Sequence, residues 1–427
     1  MGAGFFTTFL NCRQCINGEL VDDQLVVSED TGLILERTGY IGGEAVDLEG
    51  NVVAPGFLEL QTNGVNGFHF THFEHESQYQ QKLEETAKYF VTQGVTGFWA
   101  TVPTVSPEDF RKILSSLKPR SFDSAAAFLG AHTEGPYLFP GKKGAHNSSL
   151  FRPPSTSPTT TYGAENLSSS IKLATLAPEL PDASTLIQDL RSRNIRVSLG
   201  HSNATYEQGL NGLRAGATGL THTLNAMSGL QSREPGLPGL ISLPPTSSNP
   251  PPPYFSLIPD GHHLHPATLS LLYRAAPSRA ILITDSIELA GLPDGLYPGH
   301  AQIPHSQRKV GSRVVIDGTD TLIGSCIPLQ QGVRNLMEWT GCDVAQAVRC
   351  VTENVAEFMG VDGPGGVGVL KEGRRADLCV LSEEGEVLQT WVAGKKVWER
   401  EGGCTEVWVL GAGKREMFRI EQGWHHS

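Results

Sequence analysis

Between residues 5 and 54 apolar and polar positions alternate in short runs, cut by the turn signals Asn17-Gly18, Asp30-Thr31-Gly32 and Gly42-Gly43. A period of two sends neighbouring side chains to opposite faces, so the pattern predicts short β-strands. Residues 367–398 repeat it, with one strand over 377–381 and another over 387–392 that turns at Ala393-Gly394-Lys395 into Lys396-Val397-Trp398. The middle of the chain differs. Eight short apolar runs, at 57–63, 96–102, 126–134, 171–178, 195–201, 218–222, 254–260 and 280–285, alternate with stretches of helical spacing such as 77–93 and 206–215. Strand–helix alternation repeated eight times predicts a (β/α)8 TIM-type barrel rather than an open sheet. The expected architecture is α/β: a barrel over 55–362, with a small β-sandwich assembled from 1–54 and 363–427 at the two ends of the chain. The low-complexity stretches 153–161 and 244–253 predict surface loops, the second a stiff polyproline segment.

Composition changes this picture little but removes several functions. The chain has 427 residues and a formal charge of −12, against the basic face a nucleic-acid binder carries and against a protein held on anionic lipid by charge. No apolar run approaches the ~18 residues of a membrane helix. The start lacks the basic stretch of a signal peptide. Seven cysteines scattered over a long chain suit a reducing compartment, so the expected location is cytoplasmic. Cys12 and Cys15 form a lone CxxC, read as two ordinary thiols near a strand.

The informative feature is where polar residues close the apolar runs. Glu134, His201, His222 and Asp285 each end one run. In a barrel the carboxyl ends of all strands face one side, which hosts the site. These four residues, distant in sequence, would then converge. A carboxylate with two imidazoles is a shell for a catalytic divalent ion with open positions. A further carboxylate can take a proton from an activated water. Any one of the four has a bland reading as a hydrogen-bonded loop residue; four at matching ends do not.

At this point the chain resembles the N-acetylglucosamine-6-phosphate deacetylase family of the amidohydrolase superfamily. The resemblance runs over nearly the whole chain, weakest at 147–170, 241–253 and after about 400. It rests on Pro55-Gly56-Phe57-Leu58-Glu59-Leu60-Gln61-Thr62-Asn63-Gly64, His132-Thr133-Glu134-Gly135-Pro136 and Lys142-Lys143-Gly144-Ala145-His146-Asn147. It continues through Gly200-His201-Ser202-Asn203-Ala204-Thr205-Tyr206, Thr221-His222-Thr223-Leu224-Asn225-Ala226-Met227, Arg233-Glu234-Pro235-Gly236, Asp260-Gly261-His262-His263, Thr284-Asp285 and Gly324-Ser325. The resemblance implies that Glu134, His201 and His222 hold one divalent ion per subunit, with zinc expected. It implies that Asp285 is the general base and later the acid, and that His146 helps polarise the acetamide carbonyl. It also implies that Asn225 and Ala226 offer backbone donors to the substrate, and that His263 and Arg233 contact its phosphate. The implied reaction turns an amino-sugar phosphate and water into the free amine and acetate. The implied assembly is a homodimer in which Arg233 reaches the neighbouring active site.

Many amidohydrolases carry His-x-His at the end of the first strand for a second metal. Here Gln61 and Asn63 stand there, and amides are poor transition-metal ligands, so the resemblance is to the single-metal branch. A different amidohydrolase acting on a cyclic amide or another acylated sugar, and an inactive scaffold on the same fold, are the rivals. The Arg233-Glu234-Pro235-Gly236 segment speaks against the first and the four intact site residues against the second. His69, His72 and His75 in GFHFTHFEHES are expected to be solvated histidines in a loop. Gly363-Pro364-Gly365-Gly366 lacks the strand and helix of a phosphate loop. The terminal Trp424-His425-His426-Ser427 is expected to be a tail.

Overall fold

The computed structural model describes residues 5–36, 43–244, 246–300, 303–401, 407–411 and 414–418; the tail at 424–427 lies outside them. Its centre is an eight-stranded, wholly parallel sheet whose strands follow chain order: Phe57–Thr62, Val95–Pro103, Ala127–Glu134, Ile171–Leu176, Arg196–Leu199, Gly219–Leu220, Tyr254–Leu257 and Ala280–Leu282. All eight expected runs are strands. The first and last meet at a parallel bridge, Thr62 to Ser286, where Asp285 N–H donates to the Gln61 carbonyl (2.9 Å) and Asn63 N–H to that of Ser286 (2.7 Å). These bonds curl the sheet into a TIM-type barrel and set Asp285 beside Gln61 and Asn63.

The intervening helices bury one apolar stripe each. Glu76–Val91 turns Tyr79, Leu83, Ala87 and Phe90 inward, at the three- and four-residue spacing that makes one helix face. Tyr206–Ala215 begins at a capping box in which the Thr205 hydroxyl accepts from Gln208 N–H and the Gln208 side chain accepts from Thr205 N–H. That satisfies two donors the helix start would otherwise orphan. The stretch expected to be a loop at 153–161 instead runs into a short helix, Pro158–Tyr162, opened by Ser157 and proline and anchored by buried Thr161 and Tyr162.

Strands from both ends of the chain share sheets, as expected. Val52–Pro55 pairs with Leu378–Leu381 in one six-stranded sheet, and Phe6–Leu10, Leu25–Ser28 and Glu44–Asp47 belong to a five-stranded one. Phe9, Val27 and Val46 of the second sheet pack with Val53, Leu378 and Trp391 of the first in one apolar core, with the Phe9 and Trp391 rings edge to face at 4.9 Å. Cys12 is a buried free thiol there and Cys15 one in the main core; burial pushes the Cys12 thiol up to about 11, which fits a structural reading of the CxxC. An unexpected four-stranded antiparallel sheet (Gly295–Tyr297, Gln307–Val310, Arg313–Ile316, Leu322–Ser325) follows the last barrel strand. Its alternation is too short to stand out beside the barrel runs, yet it walls the site through Leu322, Ile323 and Gly324.

Candidate active site

Glu134 ends its strand, while His201, His222 and Asp285 lie just beyond theirs in the left-handed region, with φ of +48°, +30° and +45°. Non-glycine residues there cost of order 1 kcal/mol each and persist only where the surroundings hold them. Here the strained turns swing three side chains from the sheet face to the barrel axis. Gly144 approaches so closely that a Cβ would sit 3.2 Å from His201 Cε1, and its φ of +57° suits glycine.

The side chains meet as the sequence suggests. His222 Nε2 lies 2.9 Å from Glu134 Oε1, His201 Nε2 3.2 Å from the same oxygen, and the two nitrogens 3.1 Å from each other. His201 Nδ1 donates to the Lys142 carbonyl (2.9 Å) and His222 Nδ1 to that of Asn225 (3.1 Å). A carbonyl can only accept, so each ring keeps its proton on Nδ1 and turns the Nε2 lone pair inward. Two lone pairs and a carboxylate oxygen then face one another in a triangle whose three corners one ion could touch at ~2.1 Å. His201, His222 and Glu134 are each 5% exposed, so little water relieves that repulsion. Burial opposes the Glu134 anion, but the surrounding imidazoles hold its carboxyl well below the usual range. Burial also opposes a charged His222, yet Glu134 lifts it to about 9, so without an ion a proton on His222 Nε2 takes the place of the cation against Glu134 Oε1. The site calls for positive charge, and the donor set fits a divalent cation.

His146 is different. Its Nδ1 accepts from Thr104 N–H (3.3 Å), which leaves the proton on Nε2, 3.6 Å from Glu134 Oε2. Glu134, His146 and His201 also offer atoms within 4.8 Å of one another, but the His146 tautomer presents a donor rather than a lone pair.

Asp285 Oδ1 accepts from Asn63 Nδ2 (2.9 Å) and Gln61 Nε2 (3.4 Å); Gln61 also donates to Glu134 Oε1 (3.1 Å). The amides thus brace the two carboxylates. Burial and the nearby Glu134 charge raise Asp285 above the usual aspartate range, toward what a general base needs.

A cavity of about 370 Å³ opens over these groups. His263 lines it, with Nδ1 donating to Asp260 Oδ2 (2.7 Å). Asn225 and Ala226 line it too, but Asn225 N–H already donates to the His222 carbonyl (2.9 Å). That backbone donor is therefore engaged, and the Asn225 side chain and Ala226 remain. Arg233 is exposed and does not line the cavity of its own chain. Lys142 gives its ammonium to the Met227 carbonyl (2.9 Å), which fastens the His146 loop. Three features escaped sequence reading: Thr104, which sets the His146 tautomer; the apolar wall of Val105, Leu150, Ile303, Leu322 and Ile323; and His69. His69 is not solvated but 3% exposed and lines the cavity, because the Gly64–Val65 and Phe68–His69 hairpin folds it inward. His75 is exposed, as expected.

A parallel barrel with a carboxylate and imidazoles gathered at its strand ends defines a metal-dependent hydrolase of the amidohydrolase type. The Amidohydrolase family model matches residues 189–397. The chain is 34% identical over 401 residues to an N-acetylglucosamine-6-phosphate deacetylase of Caenorhabditis elegans, covering 91% of this chain and 94% of that protein. It is 31% identical over 393 residues to an N-acetylgalactosamine-6-phosphate deacetylase of Escherichia coli O157:H7, covering 91% and 99%. A crystal structure of a Mycobacterium smegmatis N-acetyl-D-glucosamine-6-phosphate deacetylase variant, in complex with N-acetyl-D-glucosamine-6-phosphate, matches at a TM-score of 0.78 and 26% identity, covering 93% of this chain and all of that one. The chain belongs to the N-acetylglucosamine-6-phosphate deacetylase family.

Proposed function

We propose that this enzyme hydrolyses the acetamide of N-acetyl-D-glucosamine 6-phosphate to D-glucosamine 6-phosphate and acetate, in amino-sugar catabolism. The observation that carries the reading is the inward-facing set Glu134, His201 and His222 with Asp285 braced beside it. Those three residues would hold one divalent ion. The set suits Zn²⁺, and other divalent ions can share it. Such an ion supplies Lewis-acid polarisation of the carbonyl and acidifies water. The chain's own groups do the rest. His146 Nε2–H donates to the carbonyl oxygen as charge builds on it. Asp285 takes a proton from the attacking water, and water oxygen joins the acyl carbon. Asp285 then returns the proton to the amine nitrogen as the C–N bond breaks. His263, oriented by Asp260, and Ala226 take the sugar-phosphate end.

We read the assembly as a homodimer in which Arg233 reaches the partner's phosphate site. Glu234, the obvious intrachain partner, turns its Oε1 to Tyr206 N–H (2.7 Å) and Gly236 N–H (3.1 Å) instead. No ion pair holds Arg233 among the described residues. The barrel at 55–362 and a β-sandwich of 1–54 with 363–427 are the domains we assign, in a cytoplasmic protein whose described cysteines are free. The test is a deacetylation assay on both C4 epimers, each with and without the 6-phosphate. Turnover strongly favouring phosphorylated sugars, led by the glucosamine form, supports the reading. Activity indifferent to phosphate overturns it.

A further inference from the structure

His69 stands apart from the residues assigned above. It lies on the short hairpin after the first barrel strand, with its partner position Gly64 next to Asn63, the donor to Asp285. Its Nδ1 accepts from Thr71 N–H (3.2 Å) and contacts the Thr71 hydroxyl (2.7 Å). A backbone N–H can only donate, so the neutral ring carries its proton on Nε2. No acceptor for that proton exists among the described residues, although His69 is 3% exposed and lines the catalytic cavity. With the ring lining the cavity, the acceptor for this donor lies there, as solvent or as a bound ligand.

The ring is held in place. It stacks on His72 (centroids 5.1 Å apart, 29° between planes) and lies 5.4 Å from His300. Behind them Glu288 accepts from Gln307 Nε2 (3.3 Å) and sits 3.4 Å from His300 Nε2. Burial outweighs the Glu288 charge and pushes His69 down to about 3, so it stays neutral. A neutral donor in front of a buried carboxylate does not favour a phosphate dianion. It suits an uncharged hydroxyl.

We propose that His69 is a specificity-determining residue whose Nε2–H donates to a sugar hydroxyl flanking the acetamide carbon, on C1 or C3. This rests on the deacetylase reading. The hairpin carries His69 beside Asn63, the donor to Asp285, and so beside the group that works on the C2 acetamide. The ring carbons beside C2 are C1 and C3, while C4 lies beside C5 on the phosphate side.

The test pairs His69→Ala and His69→Gln with three substrates: N-acetylglucosamine 6-phosphate and its 1-deoxy and 3-deoxy analogues. His69→Ala is expected to lower kcat/KM on the parent about tenfold, the scale of one neutral hydrogen bond. On one analogue it should change almost nothing, and that analogue identifies the hydroxyl. His69→Gln, whose amide can donate, should recover part of the loss. An equal loss on all three substrates, or none on the parent, overturns the assignment and leaves His69 a purely structural residue. If the alanine variant does not fold, the glutamine variant's ratio between parent and analogues decides by the same criterion. A wild-type enzyme inactive on every amino-sugar phosphate would instead overturn the functional reading, and this inference with it.

Discussion

Asp285→Asn isolates proton transfer from every other role of that position. The asparagine keeps the shape, and its amide oxygen can still accept from Asn63 Nδ2, now 2.9 Å from Oδ1. What it loses is the ability to take a proton from water and return it to the amine. General base catalysis contributes ~10²–10⁴ in rate, so the barrier should rise by roughly 3–5 kcal/mol. The loss should fall on kcat, with KM within a few fold, because the sugar-phosphate contacts through His263 and Ala226 are untouched. A second readout follows from electrostatics. Burial and Glu134 raise the Asp285 pKa, so its charge is disfavoured in the metal-free fold. The neutral asparagine should therefore melt no lower than the wild type after chelation. The acid limb also has a defined sign. The base works ionised, so wild-type kcat/KM should fall as pH drops through the Asp285 pKa of the metal-loaded enzyme, and the variant should lack that limb. Assays of acetate release across pH give kcat, KM and the acid limb, thermal melting after chelation gives the second readout, and elemental analysis reports whether the metal is still bound. Turnover within tenfold of wild type, with metal still bound, would refute Asp285 as the base.

Elemental analysis should give about one divalent ion per chain at this centre, with chelation abolishing turnover and added Zn²⁺ or another divalent ion restoring it. His201→Ala and His222→Ala should lose the ion, whereas His146→Ala should keep it and lose kcat; a His146 variant that arrives metal-free would make that ring a ligand. Arg233→Ala should raise KM for the phosphorylated sugar at least tenfold and leave the weak activity on the unphosphorylated one unchanged. Mixing it with Asp285→Asn chains should restore part of the activity, and no rescue despite proven subunit exchange would rule out a shared site. Glu59 tests the barrel floor: it is fully buried, and burial pushes it up to about 8 although Gln61 and Thr284 donate to it. An acid raised on folding stabilises fully below its unfolded pKa of ~4.5 and loses that stability as pH rises toward 8. Glu59→Gln should therefore gain on wild type between pH 5 and 8, by at most about 4 kcal/mol; parallel melting curves across that range would contradict this.

What the sequence determined by itself is local. Each of the eight apolar runs is bounded by polar or turn residues, and an apolar run of that length reports a buried strand whatever it pairs with. Thr205 and Gln208 announce a helix start because a cap needs only neighbours. Polar residues closing four runs pointed to one mouth because parallel strands share a direction. The tertiary structure alone decided how those residues face one another. The left-handed turns at His201, His222 and Asp285 depend on bonds to other strands, such as Asp285 N–H to the Gln61 carbonyl. Which imidazole is a ligand and which a donor depends on whether its Nδ1 meets a carbonyl, as at Lys142 and Asn225, or an N–H, as at Thr104. Those partners lie 59, 3 and 42 residues away, and no periodicity encodes them. His69 shows the same limit. In sequence it falls in a loop between the first strand and a helix and reads as solvated, yet a hairpin pairing it with Gly64 turns it into the cavity. Burial there is a property of the closed barrel, where a side chain's surroundings come from strands far away along the chain.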